Sequence, residues 1–308
     1  MTKTNKNSLA GTLMLLVAAF IWGSAFVAQT TGAEHVGPLT FTCLRNILGS
    51  VVLLPVIFTL DSIKKKNGSY KKMNKSDYKT LLGGGAVCGV VLCLASVFQQ
   101  MGIDKGTEAG KAGFITALYI LIVPIISIFL GSKIRRIIWP CVGVSVVALY
   151  LLCVKEDNSV RMSDIYVLIC AFLYSIHILV IDRVSPKTDG VRLSAVQFAV
   201  VSIISIIPAM VIEGITFDSV KAALPSIAYA GIMSSGVAYT FQIIGQQRTE
   251  PTVASMIMSL ESVFAVITSM IILNQVPTVK ESIGCVLMFA AIIVAQLPEK
   301  KQLTKASQ

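Results

Sequence analysis

The segment 257–270, IMSLESVFAVITSM, carries one glutamate, Glu261, the only charged residue of the apolar block 251–273. A charged carboxylate near the middle of such a block costs on the order of 3 kcal/mol to place in a bilayer. It must therefore face a cavity or a partner, or hold a proton. Ala254, Met258, Glu261 and Ala265 follow 4-3-4 spacing, with Ser255, Ser259, Ser262 and Ser269 running beside them. That stripe is small and polar against a remainder of Leu, Ile, Val, Phe and Met. Burial favours the neutral acid, so Glu261 is a candidate proton carrier. The alternatives are a pairing with a substrate amine and a structural hydrogen bond to a neighbouring helix.

Tyr119 shares a helical face with Ala112 and Thr116, and its phenol could line a pocket or pack in the core. Trp22 and Tyr174 are also mid-block aromatics and carry the same two readings. Arg45 lies about seven residues after Pro38, where a structural clamp to Gln99, Gln100 or Asp104 competes with contact to a substrate carboxylate. His177 is a candidate proton relay or a satisfied polar contact. Gln99 and Gln242 complete the polar candidates. With two histidines, His35 and His177, a His-rich metal site is excluded. There is no HExxH, Walker-type loop or ATPase motif, so no cofactor is expected, and a gradient, exchange or the substrate's own concentration difference would have to power transport.

These residues need elements to hold them. The 308-residue chain is 55% hydrophobic and 14% charged, with mean hydropathy +0.78; soluble domains carry about 25% charged residues. The apolar residues fall into ten blocks of about membrane thickness: 9–29, 38–60, 80–102, 108–130, 134–154, 164–182, 192–212, 222–244, 251–273 and 281–297. Continuous apolar runs indicate helices rather than barrel strands. The blocks leave no room for a sizeable soluble domain, which weighs against a soluble enzyme or a nucleic-acid binder. The net charge of +10 belongs to the loops: with the N-terminus inside, 19 of 26 Lys and Arg fall on the cytoplasmic side and six on the other, with Arg45 inside a helix. That asymmetry puts both termini in the cytoplasm. The stretch KKKNGSYKKMNKSDYK then lies beside anionic lipid. Seven scattered cysteines without a CxxC pair read as small buried hydrophobes. The first block is long enough to remain as a span, and no signal-peptide cleavage site is expected.

The chain also repeats itself. AFIW at 19–22 matches AFLY at 171–174, and FQQMG at 98–102 matches FQIIG at 241–245. TEAGKAGFITALY at 107–119 aligns with TEPTVASMIMSLE at 249–261, an offset of 142, which pairs Tyr119 with Glu261. Arg45 pairs with the uncharged Gln197. Five spans per half is odd, so the second half enters the membrane upside down, an arrangement suited to alternating access around a central site. The expected units are a tail at 1–8, a first repeat at 9–154, an extracytoplasmic connection at 155–163, a second repeat at 164–297 and a tail at 298–308.

IWGSAF in the first span, Pro38 and Arg45 in the second, AGFITALYILIVPIIS in the fourth, and SLESVFAVITSMIILNQ with IGCVLMFAAIIVAQ at the end resemble the EamA-type branch of the drug/metabolite transporter superfamily. The resemblance runs over about 10–297. It departs where the family often has Glu after the fourth and ninth spans, Ser132 and Gln275 here, and where its EP is Glu261–Ser262. It implies a ten-helix basket around a central substrate cavity that moves small metabolites, often outward. The expectation is an all-α integral membrane protein of a bacterial plasma membrane, a secondary transporter and not an enzyme. Its substrate would be a small amphipathic metabolite such as an amino acid, with proton coupling possible. A flippase of a lipid or lipid-linked substrate and an integral-membrane enzyme are the alternatives. Site candidates are Glu261, Tyr119, Trp22 and Tyr174, then Arg45, His177, Gln99 and Gln242. The expected partners are the bilayer and a small molecule, with no nucleic acid; the residues leave oligomeric state open.

Overall fold

The computed structural model describes residues 3–153, 161–273 and 278–297. Helices account for its regular structure, and no strand occurs among the described residues. In chain order they are α1 (Lys3–Ala33), α2 (Pro38–Lys66), α3 (Lys75–Asp104), α4 (Ala109–Ala117), α5 (Tyr119–Phe129), α6 (Ile138–Cys153) and α7 (Met162–Val184). There follow α8 (Gly190–Pro208), α9 (Phe217–Tyr229), α10 (Thr240–Gln246), α11 (Pro251–Met258), α12 (Glu261–Leu273) and α13 (Val279–Gln296). Wider π-type turns extend α8 over Ala209–Glu213 and join α9 to α10 over Ala230–Tyr239.

Nine stretches among the described residues are long and apolar enough to cross a bilayer. They match nine of the ten expected blocks. The tenth, expected at 134–154, is a shorter apolar helix at Ile138–Leu152. Its start is trimmed by the basic turn at Arg135 and Arg136. The block at 164–182 grows into Met162–Lys187, 26 residues. Most of the connection expected at 155–163, and the tail at 298–308, lie outside the described residues.

Water cannot drive apolar faces together inside lipid, so helices associate there through close packing at small residues. Two small-residue runs, GGGAVCG at 83–89 and AGIMSSG at 230–236, do this. α3 lies against α7 and α8; a Cβ on Gly89 would sit 2.7 Å from the Gln197 carbonyl oxygen of α8. A Cβ on Gly231 would meet Leu48 Cβ at 2.8 Å and the Arg45 carbonyl oxygen at 3.0 Å, so the π segment lies directly on α2. Five cysteine side chains are buried and unbridged, and Cys285 is partly buried; the Cys153 side chain lies outside the described ones.

Polar ties fix α2 against the second half at both ends. Its N-cap is Gly37, which has no capping side chain. Glu213 supplies one from across the bundle: its carboxylate accepts from Leu39 N at 2.8 Å, Thr40 N at 2.8 Å and Thr40 Oγ1 at 2.7 Å. This satisfies free amides of the first turn and sets a negative group at the positive end of the helix. At the other end Lys64 pairs with Asp189 at 3.0 Å and Arg192 pairs with Asp61. Lys111 and Thr107 similarly hold Asp164 at the start of α7, at 2.6 and 3.1 Å.

Candidate functional site

Two of the membrane-crossing stretches are interrupted halfway. Between α4 and α5 the chain tightens at Leu118, with Leu118 N bonding Ile115 O at 3.2 Å and Leu121 N bonding Leu118 O at 2.9 Å. Between α11 and α12 it tightens over Ser259 and Leu260, with Leu260 N to Ile257 O and Ser262 N to Ser259 O, both 3.2 Å. These i→i+3 bonds replace the α-helical i→i+4 pattern for one turn. The breaks put Tyr119 at the first position of α5 and Glu261 at the first position of α12. A carboxylate there sits at the partial positive charge of a helix start. Broken helices are tolerated at membrane depth where they are buried in protein or line a cavity.

The two breaks meet. Tyr119 Oη donates to Glu261 Oε1 at 3.1 Å, and both side chains are buried. α1 presses on the second break at Gly23, where a Cβ would lie 2.8 Å from Ala265 N and 2.9 Å from Phe264 Cβ. The glycine in IWGSAF therefore lets its neighbour Trp22 reach the centre.

A cavity opens over the pair, and both residues line it. Its walls are aromatic (Trp22, Phe26, Tyr119, Tyr174 and Tyr239) and amide-bearing (Gln29, Gln99 and Gln242), with Arg45 and Glu261 as its two charged residues. Thr116, Ser234, Ile178 and Met258 complete the lining. A chain of hydrogen bonds stiffens one wall. Arg45 Nη2 donates to Ser96 Oγ at 3.0 Å, Ser96 lies 3.5 Å from Tyr174 Oη, and Tyr239 Oη donates to Tyr174 Oη at 3.0 Å. Trp22 sits edge-on to Tyr239 with ring centroids 4.8 Å apart. Gln99 Nε2 donates to Thr116 Oγ1 at 3.1 Å.

Seven of the eight candidate residues line this one cavity: Glu261, Tyr119, Trp22, Tyr174, Arg45, Gln99 and Gln242. His177 does not. It is fully buried behind the wall, its Nε2 3.1 Å from Gln197 Oε1 of α8. Arg45 is 4% exposed and turns inward, so it does not snorkel. Its partner is Ser96, one turn before the expected Gln99, while Gln100 donates to the Gln29 carbonyl oxygen. Sequence reading missed Phe26, Gln29 and Tyr239. The first two had a signal, since positions 22, 26 and 29 follow helical 4-3 spacing. Tyr239 closes the π segment, a geometry that hydropathy does not report and that often marks functional positions. The side chain of Ser269 lies outside the described ones.

Residues 9–154 and again 161–296 match the model of the EamA-like transporter family. The chain belongs to this family. An uncharacterized transporter of Archaeoglobus fulgidus is 25% identical over 291 residues, covering 92% of this chain and 85% of that protein. The uncharacterized transporters YoaV and YwfM of Bacillus subtilis are each 21% identical over 294 residues, covering 92% and 95% of this chain and 95% of either relative. A solved crystal structure superposes with a TM-score of 0.74 at 17% identity, over 93% of this chain and 96% of that one, which shows a shared fold. This EamA-like protein is thus an integral membrane transporter, with its cavity built on two broken helices.

Proposed function

We propose that the protein is a secondary active exporter of small amphipathic metabolites, amino acids above all, working by alternating access between two inverted halves. The observation that carries this reading is the presence of Arg45 and Glu261 in one aromatic-walled cavity. The two formal charges match a zwitterion: guanidinium for a carboxylate, carboxylate for an ammonium, aromatic rings for an apolar side chain. Glu261 can be neutralised by a proton or by a substrate ammonium, but not well by both at once. A single group shared in this way gives exchange, in which proton entry drives substrate release. The excess of Lys and Arg on the loops of one side supports a cytoplasmic placement of both termini in a bacterial plasma membrane.

The test is counterflow in proteoliposomes loaded with labelled amino acids, with and without a pH gradient. Wild-type flux should rise when the gradient is applied. Glu261→Gln should retain binding of some substrates but lose the response to the gradient. Gradient-dependent flux undiminished in Glu261→Gln would remove the coupling role, and absence of flux for every amino acid tried would remove the substrate class.

A further inference from the structure

The two halves hold an equivalent glutamine in different ways. FQQMG and FQIIG place Gln99 of α3 opposite Gln242 of α10 in the repeat, and TEAGKAGFITALY and TEPTVASMIMSLE place Thr116 opposite Met258. In the first half Gln99 Nε2 is tied to Thr116 Oγ1 at 3.1 Å. In the second half the residue corresponding to that threonine is a methionine, whose thioether is at best a weak acceptor and which offers no donor. Gln242 is 3% exposed and lines the cavity, yet its side-chain oxygen has no hydrogen-bond partner among the described residues. A buried amide carbonyl left without a donor is unfavourable, and such a group calls for an explanation. The same cavity holds the Tyr119–Glu261 bond, so the second half brings both a carboxylate and an uncommitted amide to the centre.

We propose that Gln242 reads the transported molecule directly, its carbonyl accepting an N–H from an unblocked amino group, and that Met258 leaves this side chain free to turn toward the ligand by withholding the hydroxyl that holds the Gln99 amide N–H in the first half. The inference rests on the amino-acid reading of the cavity and sharpens it: Gln242 sets the preference for ligands that carry a donor beside the carboxylate. The tied Gln99 serves as wall, and the free Gln242 serves as specificity group.

The experiment measures binding to the full-length protein in detergent, using L-amino acids and the corresponding acids that lack the amino group. The variants are Gln242→Met, Met258→Thr and the two combined, each checked for a monodisperse profile. Wild type should prefer the amino acid. Gln242→Met should weaken amino-acid binding about tenfold or more, the loss of one hydrogen bond to a charged donor, and should shrink the preference over the deaminated acid. Met258→Thr should weaken binding in the same direction by giving Gln242 an internal partner. It should have no added effect in the Gln242→Met background, because it acts only through that amide. A folded Gln242→Met with wild-type affinity and preference overturns the inference alone, as do additive effects of the two substitutions. A wild-type protein that binds no member of the panel overturns the cavity reading and this inference with it.

Discussion

The break before Tyr119 and the break before Glu261 have nearly the same backbone and opposite chemistry. Each is one turn of i→i+3 bonds in the middle of a membrane-crossing stretch, and the two residues lie 142 positions apart. The first half ties its polar groups up: Gln99 to Thr116, and the Tyr119 hydroxyl across to Glu261 of the second half. The second half lines the cavity with a carboxylate and with Gln242, whose side-chain oxygen has no partner among the described residues. The two breaks thus offer similar backbone geometry with different side chains.

Making the halves alike should have the largest effect. Glu261→Tyr places a phenol at both breaks and leaves Arg45 as the cavity's only charge. Gradient-driven amino-acid counterflow should fall about a hundredfold or more, the scale for removing one partner of a buried charge interaction. Tyr119→Phe deletes only the hydrogen bond to Glu261 and should cost about tenfold or less. Equal losses in the two variants, measured in the same liposomes, would mean that the breaks share one role.

The next contrast lies in the helices that cover the breaks. Gly23 and Ser175 correspond through AFIW and AFLY. Gly23 touches the α11–α12 break, whereas the Ser175 hydroxyl bonds only back to the Ala171 carbonyl oxygen at 2.8 Å. Gly23→Ala should therefore destabilise the protein by about 1–3 kcal/mol through overpacking. Ser175→Ala should stay within about 1 kcal/mol. Thermal unfolding of both in one detergent decides: equal melting temperatures would mean that α1 can shift away from the break without cost.

Much of this was legible in the chain and some was not, for identifiable reasons. Hydropathy located the crossing stretches because lipid imposes one length on all of them. Isolated charge in an apolar block singled out Glu261 and Arg45, since a buried charge is too costly to be incidental. The repeat then paired Tyr119 with Glu261, which bond each other in the structure. The partner of Arg45 and the place of His177 were not legible, because each depends on helix rotation, to which an all-apolar surround adds little periodic signal. Glu213 was not legible either, because its target is a helix start 173 residues away.

Smaller effects should separate the two ends of α2. Glu213→Ala removes the cap of the first turn and should cost about 1–2 kcal/mol, detected as a lower melting temperature. Glu213→Gln keeps one of the two acceptor oxygens, replaces the other with an NH2 that cannot accept, and removes the charge, so it should cost nearly as much.

At the other end one of the two ties, Lys64–Asp189, is exposed and weaker. Lys64 and Asp189 side chains are 43% and 33% exposed, so Lys64→Met should cost only about 0–1 kcal/mol and less in high salt. Burial of Asp189 opposes ionisation, but hydrogen bonds from Lys64 and the Arg192 amide outweigh it and hold the carboxyl below its usual range. A carboxyl whose folded value is depressed stabilises the protein above its unfolded value, and that contribution fades as pH falls through the folded one. The melting-temperature difference between wild type and Lys64→Met should therefore be constant near neutrality and shrink below about pH 4. A difference that instead grows on acidification would show that Lys64 acts through some other group than Asp189.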